Sequence, residues 1–219
     1  MAIVAKKGAQ RELIPPGTYP ARCIKVMHFG NVPGEYLGKK QIKDEVRFTW
    51  ELPTELRVFE EEKGEQPLSI SKDYTLSLGE KANLRRDLES WRGKQFTDDE
   101  LEGFDILSVM SVPCMLNVIH KMSKAGNQYT FIASITPLLK GYECPSQINP
   151  SFIWDYDENY DEGVLENLHD WFKDKIKSSL EYQAKVTPPE NIPVNIQQAP
   201  MPGIDDAPPP DGDDNDLPF

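Results

Sequence analysis

The sequence has few of the residues that most often carry catalysis or hold metals. Its 219 residues include only three cysteines and three histidines. Cys23, Cys114 and Cys144 are widely separated and odd in number, with no CxxC pair. That argues against a disulfide framework and for buried thiols in a reducing compartment. His28, His120 and His169 are scattered, and none has the HxxxH or His–Cys spacing suited to zinc. A GxxxxGK[ST] phosphate loop is missing, which argues against an ATP-driven role. Glu61-x-Lys63 has a faint likeness to a nuclease signature, but it sits in the acidic stretch around Glu60, Glu61 and Glu62 without a partnering strand aspartate. We therefore expect no catalytic residues, no metal and no cofactor. No run approaches the ~18 apolar residues of a membrane span, and MAIVAKKGAQRE lacks the apolar stretch of a secretory signal. A cytoplasmic protein without membrane contact is expected.

Basic residues are missing from one long segment. Residues 188–219 contain nine prolines, seven acids and no Lys or Arg. Such a segment buries too little apolar surface to offset its ordering entropy, so it is expected to be disordered. Setting those seven acids aside leaves 24 basic against 29 acidic residues, so the net charge of −12 is concentrated at one end. Residues 1–50 carry nine Lys or Arg against four acids. An acidic tail and a basic N-terminal region suggest that the tail competes with an anionic ligand.

Within the body, strand patterns predominate. Residues 17–29 (GTYPARCIKVMHF) read as a first strand behind the Pro15-Pro16-Gly17 breaker. Residues 30–40, with three glycines and a proline, read as a mobile exposed loop. Val46, Phe48, Trp50 and Leu52 alternate with Arg47, Thr49 and Glu51, the period of a half-buried second strand ended by Pro53. Residues 68–76 give a third strand. The period then changes: Leu84, Leu88 and Trp91 form a helical stripe, begun by a Ser77/Glu80 capping box and ended by Gly93. Thr97 and Glu100 repeat the capping pattern before a short helical segment through Leu101 and Phe104. Residues 114–120 and 128–136 are two more strands around a loop with Lys121, Lys124 and a Gly-Asn turn pair. Beyond Pro137 comes an irregular aromatic-rich segment. One amphipathic helix over about residues 161–182 follows, with Leu165, Leu168, Phe172 and Ile176 on one stripe. It is expected to dock on its own barrel or, in the sharper reading, to form a subunit interface that would make a homo-oligomer.

Three strands, a helix and two strands make an α+β chain that is mainly β, with the layout of an OB-fold. That fold is a five-stranded, partly open barrel that binds oligonucleotides on strands 2 and 3 and on the loops joining strands 1 to 2 and 4 to 5. The expected organisation is an OB-fold domain over 1–140, an extension with the helix over 141–187, and the tail over 188–219. Both loops of interest carry lysines. Single-stranded DNA needs cations along the phosphates and flat side chains for base stacking. The candidates are Arg22, Lys25, Lys39, Lys40, Lys43, Arg47, Lys72, Lys121 and Lys124, interleaved with the aromatics Phe29, Tyr36, Tyr74 and Tyr129. Phe48 and Trp50 fit the apolar face and are read as core. Tyr74 and Tyr129 fit a stacking role and an inward-packed ring with its hydroxyl at the rim equally well.

The last residues, DDNDLPF, closely resemble the acidic tip of bacterial single-stranded DNA-binding proteins. By that resemblance Asp213, Asp214, Asp216, Leu217, Pro218 and Phe219 would recruit replication, recombination and repair enzymes and compete with DNA. The body does not carry the bacterial family's barrel sequence. Instead IPPGTYPARC, VRFTWELP and SISKDYTLSLGEKANLRRDLESWRGK resemble a bacteriophage family of replication-associated single-stranded DNA-binding proteins, over residues 14–141. The resemblance implies a protein that coats single-stranded DNA in the cytoplasm of a host bacterium. Two alternatives remain: a recombination mediator or strand-annealing protein, and an interaction adaptor that binds no DNA.

Overall fold

The computed structural model describes residues 13–36 and 39–186; the side chain of Tyr36 and the whole tail lie outside the described residues. The core of the chain is an antiparallel sheet. Its strands are β1 (Gly17–Tyr36), β2 (Lys39–Val58), β3 (Glu65–Thr75), β4 (Pro113–Met122) and β5 (Gln128–Pro137), paired in the order β3-β2-β1-β4-β5. The first part of β1, Gly17 to Arg22, pairs with β4, and the part from Arg22 to Tyr36 pairs with β2. One strand therefore belongs to both halves of the sheet. No β3–β5 ladder closes it into a barrel.

All five strands contribute to one apolar cluster. Val26, Phe48, Trp50, Ile70, Leu116, Val118, Ile132 and Ile135 meet there. Each large side chain removed from water contributes roughly 1.5–3 kcal/mol. Helix α1 (Asn83–Arg92) lies against β3 and β5, where a ladder is lacking, and buries its expected stripe of Leu84, Leu88 and Trp91 in the same cluster. Across this seam Lys72 of β3 bonds to Asp87 of α1 at 2.6 Å and reaches the Ile132 carbonyl of β5 at 3.5 Å; Tyr74 Oη donates to Asp87 at 2.9 Å. Polar side chains here span two strand edges that have no backbone ladder between them.

The local signals were partly right. Gly93 ends α1 at φ 68°, the left-handed conformation a C-cap glycine adopts freely. The capping box of Thr97 and Glu100 opens α2 (Asp98–Glu102). The other expected box is not formed. Ser77 Oγ accepts from the Gly79 N–H in a turn, and α1 starts only at Asn83, behind Ala82. Pro53 does not end the second strand. It lies in a register shift between Leu52 and Leu56, where its missing N–H costs no ladder bond.

Residues 30–36, 39 and 40, expected to be part of a loop, are strand. The β1–β2 ladder runs on from Gly30↔Glu45 to Tyr36↔Lys39 as a two-stranded ribbon beyond the body of the sheet. Gly30 takes φ 73° at a register shift, with Glu181 and Tyr156 packed where a side chain would stand. A glycine read as a loop breaker is here a strand residue under a close contact.

The segment after Pro137 forms a second layer. A short strand, β6 (Phe152–Trp154), pairs in parallel with Lys25 to Met27 of β1. The expected single helix is three: α3 (Glu162–Asn167), α4 (Asp170–Lys177) and α5 (Leu180–Val186). The breaks are capped. His169 Nδ1 accepts from the Trp171 N–H at 3.3 Å, and Ser179 Oγ accepts from the Tyr182 N–H at 3.2 Å. Leu165 and Ile176 pack with Met27, Phe29, Val32, Trp154 and Tyr156 in a second apolar cluster. Val26 and Met27 thus serve opposite faces of the same strand. The helical stripe docks on the chain's own sheet.

Candidate nucleic-acid interface

The hairpin of β4 and β5 brings lysines and aromatic rings together on one surface. Its loop is tight: the Gly126 N–H donates to the Ser123 carbonyl at 2.9 Å, the Asn127 N–H donates to Ser123 Oγ at 3.0 Å, and Gly126 takes φ 81°. Cross-strand pairs fix the faces. Val118 opposite Ile132 points into the core, so Ile119 opposite Phe131 and Lys121 opposite Tyr129 point outward. Lys121 Nζ lies 3.4 Å from the centre of the Phe131 ring, and Lys72 Nζ lies 5.5 Å from it. Ile119 is 36% exposed, Phe131 and Tyr129 are half-buried, and Lys124 is exposed at the tip.

The structure brings Lys72, Lys121, Lys124 and Tyr129 to this hairpin and the adjoining seam. It places Lys39 and Lys40 elsewhere, exposed on the β1–β2 ribbon, with Lys43 half-buried on the same strand. Tyr36 ends β1 at the ribbon tip. Phe131 was missed by sequence reasoning. Its signal was present, since it lies two residues from Tyr129 in a strand and so shares that face.

Several expected contacts turn out to be structural. Phe29 is fully buried in the second cluster, 5.9 Å from Trp171 and 6.1 Å from Phe172, so it offers no ring to a base. Arg47 is 1% exposed; it grips Asp73 and lies 4.5 Å from the Trp171 ring. The guanidinium of Arg22 donates to the carbonyls of Ser111, Cys144 and Pro145 at 2.7–2.9 Å, tying the C-terminal segment to β1. Lys25 sits 5.1 Å over Phe152, and burial, helped by the Arg47 charge, pulls its ammonium below the usual lysine range. Tyr74 is 5% exposed; burial, then the Asp87 charge, holds its phenol well above the usual value. A deprotonated or base-stacked Tyr74 is inconsistent with that position.

One physical reason accounts for most of these differences. The outward side chains of β1 and β2 are covered by the C-terminal layer: Arg22, Lys25 and Phe29 on β1 and Arg47 on β2 all meet it. Thr49 is buried, and Glu51 is fully buried with its carboxylate accepting from the N–H groups of Ile148 (2.6 Å) and Asn149 (2.9 Å) and from the Asn149 side chain (2.7 Å). A period-2 pattern reads polarity and cannot register a second layer that supplies partners for it.

The three cysteines are free and buried. Burial pushes Cys23 up to about 12, out of the range of a reactive thiolate. The Glu60–Glu62 segment is an exposed turn with Lys63 paired to Glu60 at 2.9 Å. Among the described residues no group of three or more His, Cys, Asp or Glu is placed to hold a metal, and no helix is long and apolar enough to cross a membrane. The tip residues Asp213, Asp214, Asp216, Leu217, Pro218 and Phe219 lie outside the described residues. No protein-family model, curated protein or solved structure matches the chain.

Proposed function

We propose that this chain binds single-stranded DNA with little sequence preference. It would coat the strand during phage replication, recombination or repair and recruit enzymes through its acidic C-terminal tip. The fold is read as an OB-type, partly open barrel. The strand order sets β3 and β5 at the two edges around one core, and α1 with the Lys72 bridge occupies the interval between them. The observation that carries the functional reading is the β4–β5 hairpin, which presents ammonium groups and aromatic rings side by side. A single strand needs both, one for its phosphates and one for its bases. The net charge of −12 does not oppose this, because local cations within a Debye length of about 10 Å govern contact with a polyanion.

Titrating labelled oligo-dT and a matching duplex at two salt concentrations tests the proposal. Oligo-dT should bind more tightly than duplex, and its affinity should fall with salt at a slope of roughly −0.7 per phosphate contact. No affinity for oligo-dT at low salt would overturn the reading in favour of an adaptor for proteins alone. Strong acceleration of pairing between complementary strands would move it to an annealing protein.

A further inference from the structure

We propose that bases are received on the outward face of the β4–β5 hairpin, with Phe131 as the stacking platform and Lys121 as the cation that moves from ring to phosphate. This rests on the single-strand-binding reading above and adds which face is used.

Two independent observations lead there. The first is exclusion. In the usual OB arrangement a strand crosses the face of strands 2 and 3. Here the outward side of β2 is closed: Arg47, Thr49 and Glu51 are buried, and residues of the 147–172 segment bond to or lie against Arg47 and Glu51. A base cannot reach that face without removing the packed layer of Trp154, Tyr156, Leu165 and Ile176 that buries Met27 and Phe29 of β1.

The second is the composition of the remaining face. Ile119, Lys121, Tyr129 and Phe131 form two adjacent cross-strand pairs, all pointing away from the core. Lys121 already lies on the Phe131 ring at 3.4 Å, and Lys72 approaches it from β3. A cation over a half-buried ring at the surface is held by modest electrostatic attraction. A base can take the ammonium's place, because every base has a π-face, and the displaced lysine gains a phosphate of the same nucleotide. Lys124 lies further along at the hairpin tip. Tyr129, on the same face two residues away, extends the apolar surface for a neighbouring base.

The test uses the full chain, a labelled dT oligomer and an abasic deoxyribose-phosphate oligomer of the same length, read by fluorescence anisotropy. The wild type should prefer dT. Phe131→Leu keeps apolar bulk while removing the aromatic face; it should lower dT affinity roughly tenfold and leave abasic affinity unchanged, and Phe131→Tyr should restore it. Lys121→Ala should weaken both ligands and reduce the salt slope by about 0.7. Phe59→Ala, at an exposed ring on the β2–β3 turn, should change neither. Thermal melts of each variant establish that it is folded. Unchanged dT affinity in Phe131→Leu, with the wild type binding dT, overturns the assignment of this face but leaves single-strand binding standing. A wild type that binds neither oligomer overturns both.

Discussion

Arg47 and Asp73 stand opposite each other in the β2–β3 ladder and join at two points, Nε to Oδ1 at 2.5 Å and Nη2 to Oδ2 at 2.9 Å. The pair lies under α4, where Lys175 adds a contact to Asp73 at 3.5 Å and to Glu45 at 2.7 Å. Removing one member leaves the other charge in a poorly solvated place. Arg47→Leu should therefore lower stability by about 3 kcal/mol in urea unfolding at neutral pH. Asp73→Asn should cost at least as much, because Arg47 is the more deeply buried of the two. A loss below about 1 kcal/mol in both variants would mean that the second layer does not depend on this pair.

The same pair sets a response to acid. Burial tends to raise the Asp73 carboxyl, but the Arg47 hydrogen bond and charge, with Lys175, outweigh it and hold the group below the usual carboxylate range. A depressed folded value contributes stability that is present above the ordinary value, about 3.9, and disappears as pH falls through the lower folded value. The acid limb of the stability profile should be shallower in Asp73→Asn than in the wild type.

Glu51 anchors the segment around Ile148. Replacing it by alanine leaves two backbone N–H groups and an amide without their acceptor, and the loss should be roughly 2–3 kcal/mol. Hydrogen exchange should quicken at Ile148 and Asn149 before it changes in β4 and β5. Equal protection in the variant would show that Arg22 and the β6 ladder hold the segment without Glu51.

His28 gives a response in the opposite direction. Burial tends to lower its pKa, but the 2.6 Å bond to Asp44 and the nearby charges of Asp44, Glu181 and Asp155 raise it above the usual value. With a raised folded value, the contribution is complete below about 6.5 and is lost as pH rises through the folded value. Stability should decline as pH rises from about 6.5 through the raised folded value, and His28→Gln should remove that decline. Flat midpoints across this interval in the wild type would refute the assignment.

For the tail, deletion of residues 205–219 should raise affinity for oligo-dT at low salt. An acidic segment tethered to the same chain competes with DNA for the same cations, and that competition is screened as salt increases. Identical anisotropy curves for the full and shortened chains would argue against competition.

Much of this fold could be read from periodicity. The alternation from Val46 to Leu52 fixed which side of β2 meets the core, and the Leu84, Leu88, Trp91 stripe fixed how α1 docks. The capping box at Thr97 was legible because its partners lie three residues apart. What stayed hidden depends on contacts distant in sequence. Nothing near Arg47 or Glu51 announces Trp171 or Asn149, and nothing near Gly30 announces Glu181. Of the candidate site, the lysines of the β4–β5 hairpin were found by charge. Phe131 escaped notice because an aromatic residue in a strand is read first as core.

β1 also constrains how the chain can be divided. It holds ladders with β2, β4 and β6 and sends Val26 and Met27 into different clusters. A chain cut after Lys140 would leave Met27, Phe29 and Val32 facing water, and such a surface is sticky. The two layers should therefore melt together. Anyone seeking a minimal folded fragment should trim from the acidic end and stop before α5.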